Sequence, residues 1–208
     1  MTQTRDGRFA AAIAQVDAAN GLDPNRETVA GSPRPKELIY AERMSAMLAR
    51  FVPDASEALK LAVRCQHIER WKIPRSDCPQ TRAGYQQWRA TLRDFHAHRA
   101  GGILRDVGYD DATIARVRAL IRKERMKSDP EAQALEDVVA LVFLENYLEA
   151  SSRRTPTTRK RSSSTSCRRP RAKCRRAGAR RRCRRSRCPR HCCRWSRRRS
   201  TLLEAVGE

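Results

Sequence analysis

The chain changes character at Ala150, and that break limits what can fold more than any motif does. From Ser151 to Glu208 there are 22 Lys+Arg against 2 Asp+Glu, with almost no aliphatic residue before Leu202-Leu203. Of the 45 basic and 23 acidic residues in the chain, the first 150 positions keep 23 and 21, so nearly all of the net charge of +22 belongs to the last 58. That stretch cannot bury enough apolar area to offset the entropy of ordering, and it is predicted to be disordered on its own. The first 150 residues, near neutral, are predicted to form one soluble domain of ordinary size.

Two readings of the basic segment stand side by side. Dense guanidinium groups release counterions from phosphates, so a genuine arm would bind nucleic acid with a steep salt dependence. Its arginine runs mixed with cysteines resemble the protamines. Alternatively, LVFLENYLEA runs without a cap into SSRRTP, as a GC-rich gene would read one nucleotide out of frame. Six of the eight cysteines lie here (Cys167, Cys174, Cys183, Cys188, Cys192, Cys193). No two C-x-x-C pairs stand at zinc-ribbon spacing, so a zinc site in this segment is not expected. The first twenty residues have no uninterrupted apolar core, and no secretory segment is expected. The longest apolar run, Val138 to Leu144, is far shorter than the ~20 residues of a membrane span. A reducing, cytoplasmic setting with free thiols and no membrane partner is therefore expected.

Within the body, apolar residues recur at helical spacing and no β alternation is evident, which predicts an all-α bundle of about six helices. Phe9, Ile13 and Val16 mark the first, with Asp6 as its cap and Asn20-Gly21 as its stop. After the loop LDPNRETVAGSPRP, a second helix spans roughly Lys36 to Phe51, entered through Pro35. Asp54 and Glu57 have capping-box spacing before a third helix through Cys65 and Ile68. Trp71 to Thr81, with Pro74 and Pro79, reads as a loop. A long fourth helix through Trp88, Leu92, Phe95 and Ile103 stops at Gly108. Its Gly101-Gly102 pair suggests close approach of another helix. Asp110 caps a fifth helix, and Asp129-Pro130 opens a sixth that is apolar on nearly every side, as a central helix would be.

Candidate chemistry gathers in three places. His67 stands in RCQHIERW, where Arg64, Arg70, Trp71, Lys72 and Arg75 converge; cations there suit an anionic substrate and Trp71 a ring, although cations also suit a helix C-terminus. His96 lies beside the apolar side of the fourth helix. Glu136-Asp137 interrupts the most hydrophobic helix, and a buried carboxylate must be paired, ligated or neutralised. Asp137 is thus either the ion-pair partner of an arginine from the third or fourth helix or a metal ligand, since facing helices of a bundle commonly collect such ligands.

The order of these residues resembles the HD-type metal-dependent phosphohydrolases, all-helical enzymes named for an adjacent His-Asp pair. YAERM resembles their first-helix segment, with Glu42 where a histidine is expected. Gln66-His67-Ile68 resembles the His-Asp pair, altered at both places. His96, before Ile103-Leu104, matches the later histidine, and Asp137 in LEDVVALVFL the final aspartate. The resemblance covers about Pro35 to Leu148. It implies one divalent metal ion held by Glu42, His67, His96 and Asp137, which would activate a bound water for hydrolysis of a small phosphorylated substrate. Arg64, Arg70, Trp71, Lys72 and Arg75 would then bind that substrate. The departures at the namesake pair favour the alternative, a non-catalytic helical module for a phosphorylated ligand, a partner protein or RNA. RFAAAIAQVDAANGLDPNRE, PKELIYAERMSAML and QHIERWKIPR also resemble a bacterial helical family without an assigned function. Some of its members carry a glutamyl-tRNA synthetase label; the parallel sheet and motifs of aminoacylation are not visible here.

Overall fold

The structure, a computed structural model, describes residues 5–148; the basic segment and its cysteines lie outside the described residues. In chain order the described elements are α1 (Arg5–Gly21), β1 (Arg26–Val29), β2 (Ser32–Pro35), α2 (Lys36–Phe51) and α3 (Glu57–Arg64). Then come α4 (Arg82–Asp106), α5 (Asp111–Arg122) and α6 (Pro130–Asn146). The expected all-helical architecture holds, with one addition and several shifted boundaries.

The addition is an antiparallel hairpin, Arg26 opposite Pro35 and Val29 opposite Ser32. Its two-residue turn has positive φ at both central positions, Ala30 (50°) and Gly31 (81°), as a tight primed turn requires. RETV and SPRP offer no period-two apolar pattern, which is why the segment reads as a loop. Ion pairs fasten it to α2: Glu27 to Arg43 at 2.5 Å and Arg34 to Glu42 at 2.7 Å.

Helix entry follows side-chain chemistry at most starts. Asp110 accepts from Thr113 N at 2.8 Å and Asp129 from Glu131 N at 3.1 Å. The third helix begins later and ends earlier than its apolar spacing suggests. Ser56, not Asp54, caps it by accepting from Leu59 N at 3.1 Å, and the helix stops at Arg64. His67 therefore sits in the turn beyond α3 rather than on it. Asp6 falls in the first turn of α1 instead of capping it. Pro35 precedes α2 without a side chain to cap it, and the remote Asp23 does so instead, accepting from Glu37 N at 3.0 Å.

Val16, Met44, Leu59, Leu61, Ile68, Leu104, Val117, Leu120, Leu135 and Val138 are fully buried and form one continuous core. α4 lies along α5 with Gly101 at the contact: a Cβ there would stand 3.0 Å from Arg118 Cδ, and that side chain would have to give by a few tenths of an ångström. Gly102 meets nothing within 4 Å, so the close approach involves only one of the pair. The sixth helix is not central. It packs chiefly on α2 through Ala132, Leu135, Val138 and Val142, leaving Phe143 and Leu144 43% and 54% exposed. Among the described residues, no helix is long and apolar enough to cross a membrane.

Candidate functional site

The polar interior centres on His67. α3 ends with Cys65 as its C-cap, and the chain turns sharply through Gln66–Glu69, with Glu69 in the left-handed region (φ 51°). A non-glycine residue held there costs of order 1–3 kcal/mol and persists only where its surroundings over-determine it. Here they do. Glu69 N donates to Asn20 Oδ1 at 3.0 Å, and the Glu69 carboxylate takes Lys72 at 2.9 Å and Arg99 at 3.1 Å. The strained corner points His67 and Arg70 toward α2.

Opposite them, α2 presents Glu37 and Tyr40. The His67 ring stacks on Tyr40, centroids 4.1 Å apart and planes 13° from parallel. Its Nδ1 lies 3.4 Å from Glu37 Oε2 and its Nε2 3.5 Å from Arg70 Nη1. Because a guanidinium can only donate, these neighbours favour the neutral tautomer with hydrogen on Nδ1. Burial, then the positive charges of Arg70, Lys123, Arg89 and Lys36, push the His67 pKa well below the usual imidazole value. Glu37 is pushed the other way, up to about 7, by burial that Arg70 and Lys36 only partly oppose. The pair is thus a contact between a neutral imidazole and a carboxyl poised near neutrality, rather than a salt bridge.

His96, on α4, lies behind, its ring centroid 6.0 Å from that of His67. It is 2% exposed, and its Nδ1 donates to Ile68 O at 2.7 Å. That bond fixes the tautomer and leaves Nε2 a buried lone pair without a hydrogen-bond partner among the described residues. Burial and His67 hold its pKa far below normal. Arg70 is the half-buried cation of the site. It meets His67 and the Trp88 ring (4.8 Å to the centroid), and takes no carboxylate as ion-pair partner among the described residues. Beside it Arg75 and Arg89 lie over the Tyr85 ring, both at 5.9 Å.

The sequence-derived candidates divide. His67, His96 and Arg70 come together. Glu42 is about 140° around α2 from Glu37 and pairs with Arg34. Asp137 lies away from the buried stripe of α6 and accepts from Gln133 one turn earlier at 2.8 Å, not from an arginine. Its neighbour Glu136 takes Lys123 instead. Arg64 ties three helices, gripping Asp17 at 2.6 and 2.7 Å and reaching Ala41 O and Ser45 Oγ at 3.3 Å. Lys72 pairs with Glu69, Arg75 closes the following loop on Cys78 O and Pro79 O, and Trp71 is half-buried. Glu37 and Tyr40 were missed. Glu37 was findable, because it continues the buried stripe Ala41–Met44–Leu48 at helical spacing.

Residues 10–178 match the family described as Domain of unknown function (DUF4202). The chain belongs to that family. No curated protein and no solved structure matches it. The DUF4202 match contains the whole His67 site and continues past Ala150 into the arginine-rich segment.

Proposed function

We propose that this DUF4202 protein binds a small phosphorylated ligand at the His67–Arg70 corner. One observation carries the reading: Arg70 is half-buried, and among the described residues its side chain bonds to His67 and has no carboxylate at ion-pair distance, Glu37 acting on it only through its charge. A guanidinium in that state suits bidentate phosphate contacts. Arg89 and Lys36, whose charges also reach His67, extend the positive field toward the surface. A neutral His67, part of whose side chain is accessible (26%), supplies one further acceptor at Nε2.

The test follows the histidine ring signals of isotope-labelled full-length protein during titration with inorganic phosphate and simple phosphomonoesters. Reading His67 and His96 directly separates the site from binding by the basic segment. Arg70→Met is expected to weaken the response roughly 10–100-fold, the scale of losing charge-assisted hydrogen bonds. An unchanged response in that variant would refute the proposal.

A second reading, hydrolysis of the phosphoester, draws on the HD-type resemblance and on Glu37, a buried carboxyl titrating near 7 beside a neutral imidazole. That is the range in which a side chain both takes and gives a proton at working pH. The divalent ion implied by the resemblance does not fit the residues as placed. Glu42 and Asp137 are engaged elsewhere, and no group of three or more His, Cys, Asp or Glu among the described residues has metal-holding geometry. Elemental analysis of protein purified without chelator is expected to find well under one divalent ion per chain. Near one ion per chain, lost in His67→Ala, would reinstate the metal-dependent form. A cytoplasmic, bacterial setting belongs to the same proposal, as does nucleic-acid affinity of the basic segment. Aminoacylation has no support in the fold.

A further inference from the structure

We infer that the ligand of this site carries a hydroxyl group close to its phosphate, as in a phosphorylated polyol or sugar, and that His96 Nε2 reads that hydroxyl. The inference rests on the phosphate-ligand reading above and extends it to the rest of the ligand.

The argument starts from what His96 can accept. Its Nδ1 is 2.7 Å from Ile68 O, and a carbonyl oxygen can only accept, so the hydrogen is on Nδ1. Nε2 is then an acceptor. It is shut off from solvent, and no donor among the described residues satisfies it. The ring is held by the backbone bond on one side and by Phe95 at 5.7 Å and His67 at 6.0 Å, so it cannot easily turn its lone pair to water. Leaving a buried acceptor unmade is costly, and an unsatisfied buried group in a native structure calls for a partner or a functional role. Arg70, a cation whose charge acts on His96, directs its N–H to His67 instead.

The phosphate cannot be that partner, because a dianion presents acceptors to an acceptor. A hydroxyl can. With phosphate on Arg70, a hydroxyl a short carbon chain away reaches His96, whose ring adjoins that of His67. Its approach requires the His67 ring to shift. That ring is held on its polar edges only by the long contacts of 3.4 and 3.5 Å and is partly accessible.

Full-length protein with isotope-labelled histidine is titrated with methyl phosphate, glycerol 3-phosphate and ribose 5-phosphate. All three are expected to move the His67 signals. Only the hydroxylated two should move the His96 Nε2 signal in the direction of an accepted hydrogen bond, and they should bind roughly tenfold more tightly than methyl phosphate. His96→Asn retains an amide that donates to Ile68 O and removes the Nε2 acceptor; it should abolish the tenfold preference and leave methyl phosphate binding intact. Because the wild-type comparison stands alone, a variant that fails to fold does not rescue the idea. Equal affinity for all three esters, with His96 Nε2 unmoved, overturns the hydroxyl inference while sparing phosphate binding. No response of either histidine to any ester overturns both. A Nε2 response to a divalent cation alone would assign the lone pair to a metal.

Discussion

Glu37 and the two histidines oppose one another as pH changes. The pKa of Glu37 is raised in the folded protein from 4.5 to about 7, so its contribution to stability is fully present below 4.5 and is lost as pH rises toward 7. His67 and His96 are lowered from 6.5, so theirs is present above 6.5 and is lost as pH falls below it. Measured alone, the wild-type profile mixes the two slopes. Glu37→Gln isolates one: its stability relative to wild type is expected to improve as pH rises from about 4.5 to 7, by about 3 kcal/mol at most. Chemical denaturation of both proteins at several pH values checks this; a pH-independent difference would mean that Glu37 titrates normally. The histidines themselves were legible as candidates from their neighbours in the chain. Glu37 was overlooked because a first-turn acid on an amphipathic helix is ordinarily a solvated partner of the helix dipole. In the structure it continues the buried stripe of α2 and meets His67 of the 66–70 turn.

At the level of elements, the entry to α2 is supplied from a distance. The Asp23 carboxylate accepts from Asn25 N and Nδ2, both at 2.9 Å, as well as from Glu37 N. It therefore holds the α1–β1 loop and the first turn of α2 in one arrangement, and it is 1% exposed. Asp23→Ala is expected to cost about 1–2 kcal/mol, as loss of a helix cap does. It should also disturb the Glu37–His67 contact, visible as a shift of the His67 ring signals. Cost without that shift would separate capping from site geometry. Helices α5 and α6 were readable at their starts because Asp110 and Asp129 cap them locally, whereas the Thr81 cap of α4 appears only in the structure. The start of α3 was misplaced because Asp54-x-x-Glu57 imitates a capping box two residues before the true cap. Nothing local marks Asp23 as a cap, since its target is fourteen residues away.

On the scale of the whole molecule, α6 shows how hydrophobicity and position part company. Leu135→Ala, at a fully buried position, is expected to cost 2–5 kcal/mol. Leu144→Lys, at 54% exposure, should stay within about 0.5 kcal/mol. Thermal unfolding of the two variants tests the assignment; a large loss for Leu144→Lys would place that face in an interior. The same helix carries Asp137, a candidate ligand by its sequence alone. Asp137 interrupts an apolar run, but the run wraps the whole helix while only one stripe of it is covered. Its carboxylate therefore needs no buried partner.

Helical class and most helix limits were determined by the sequence, because apolar spacing, caps and stops act over one or two turns of chain. His67, His96 and Arg70 could be nominated from it for the same reason, being near one another or on a readable helix face. Tertiary structure decided which groups they meet. A strained turn at Glu69 aims His67 and Arg70 at α2, Ile68 O fixes the His96 tautomer, and helix phase turns Glu42 and Asp137 away. Those outcomes depend on contacts between residues tens of positions apart, whose energies no local pattern records.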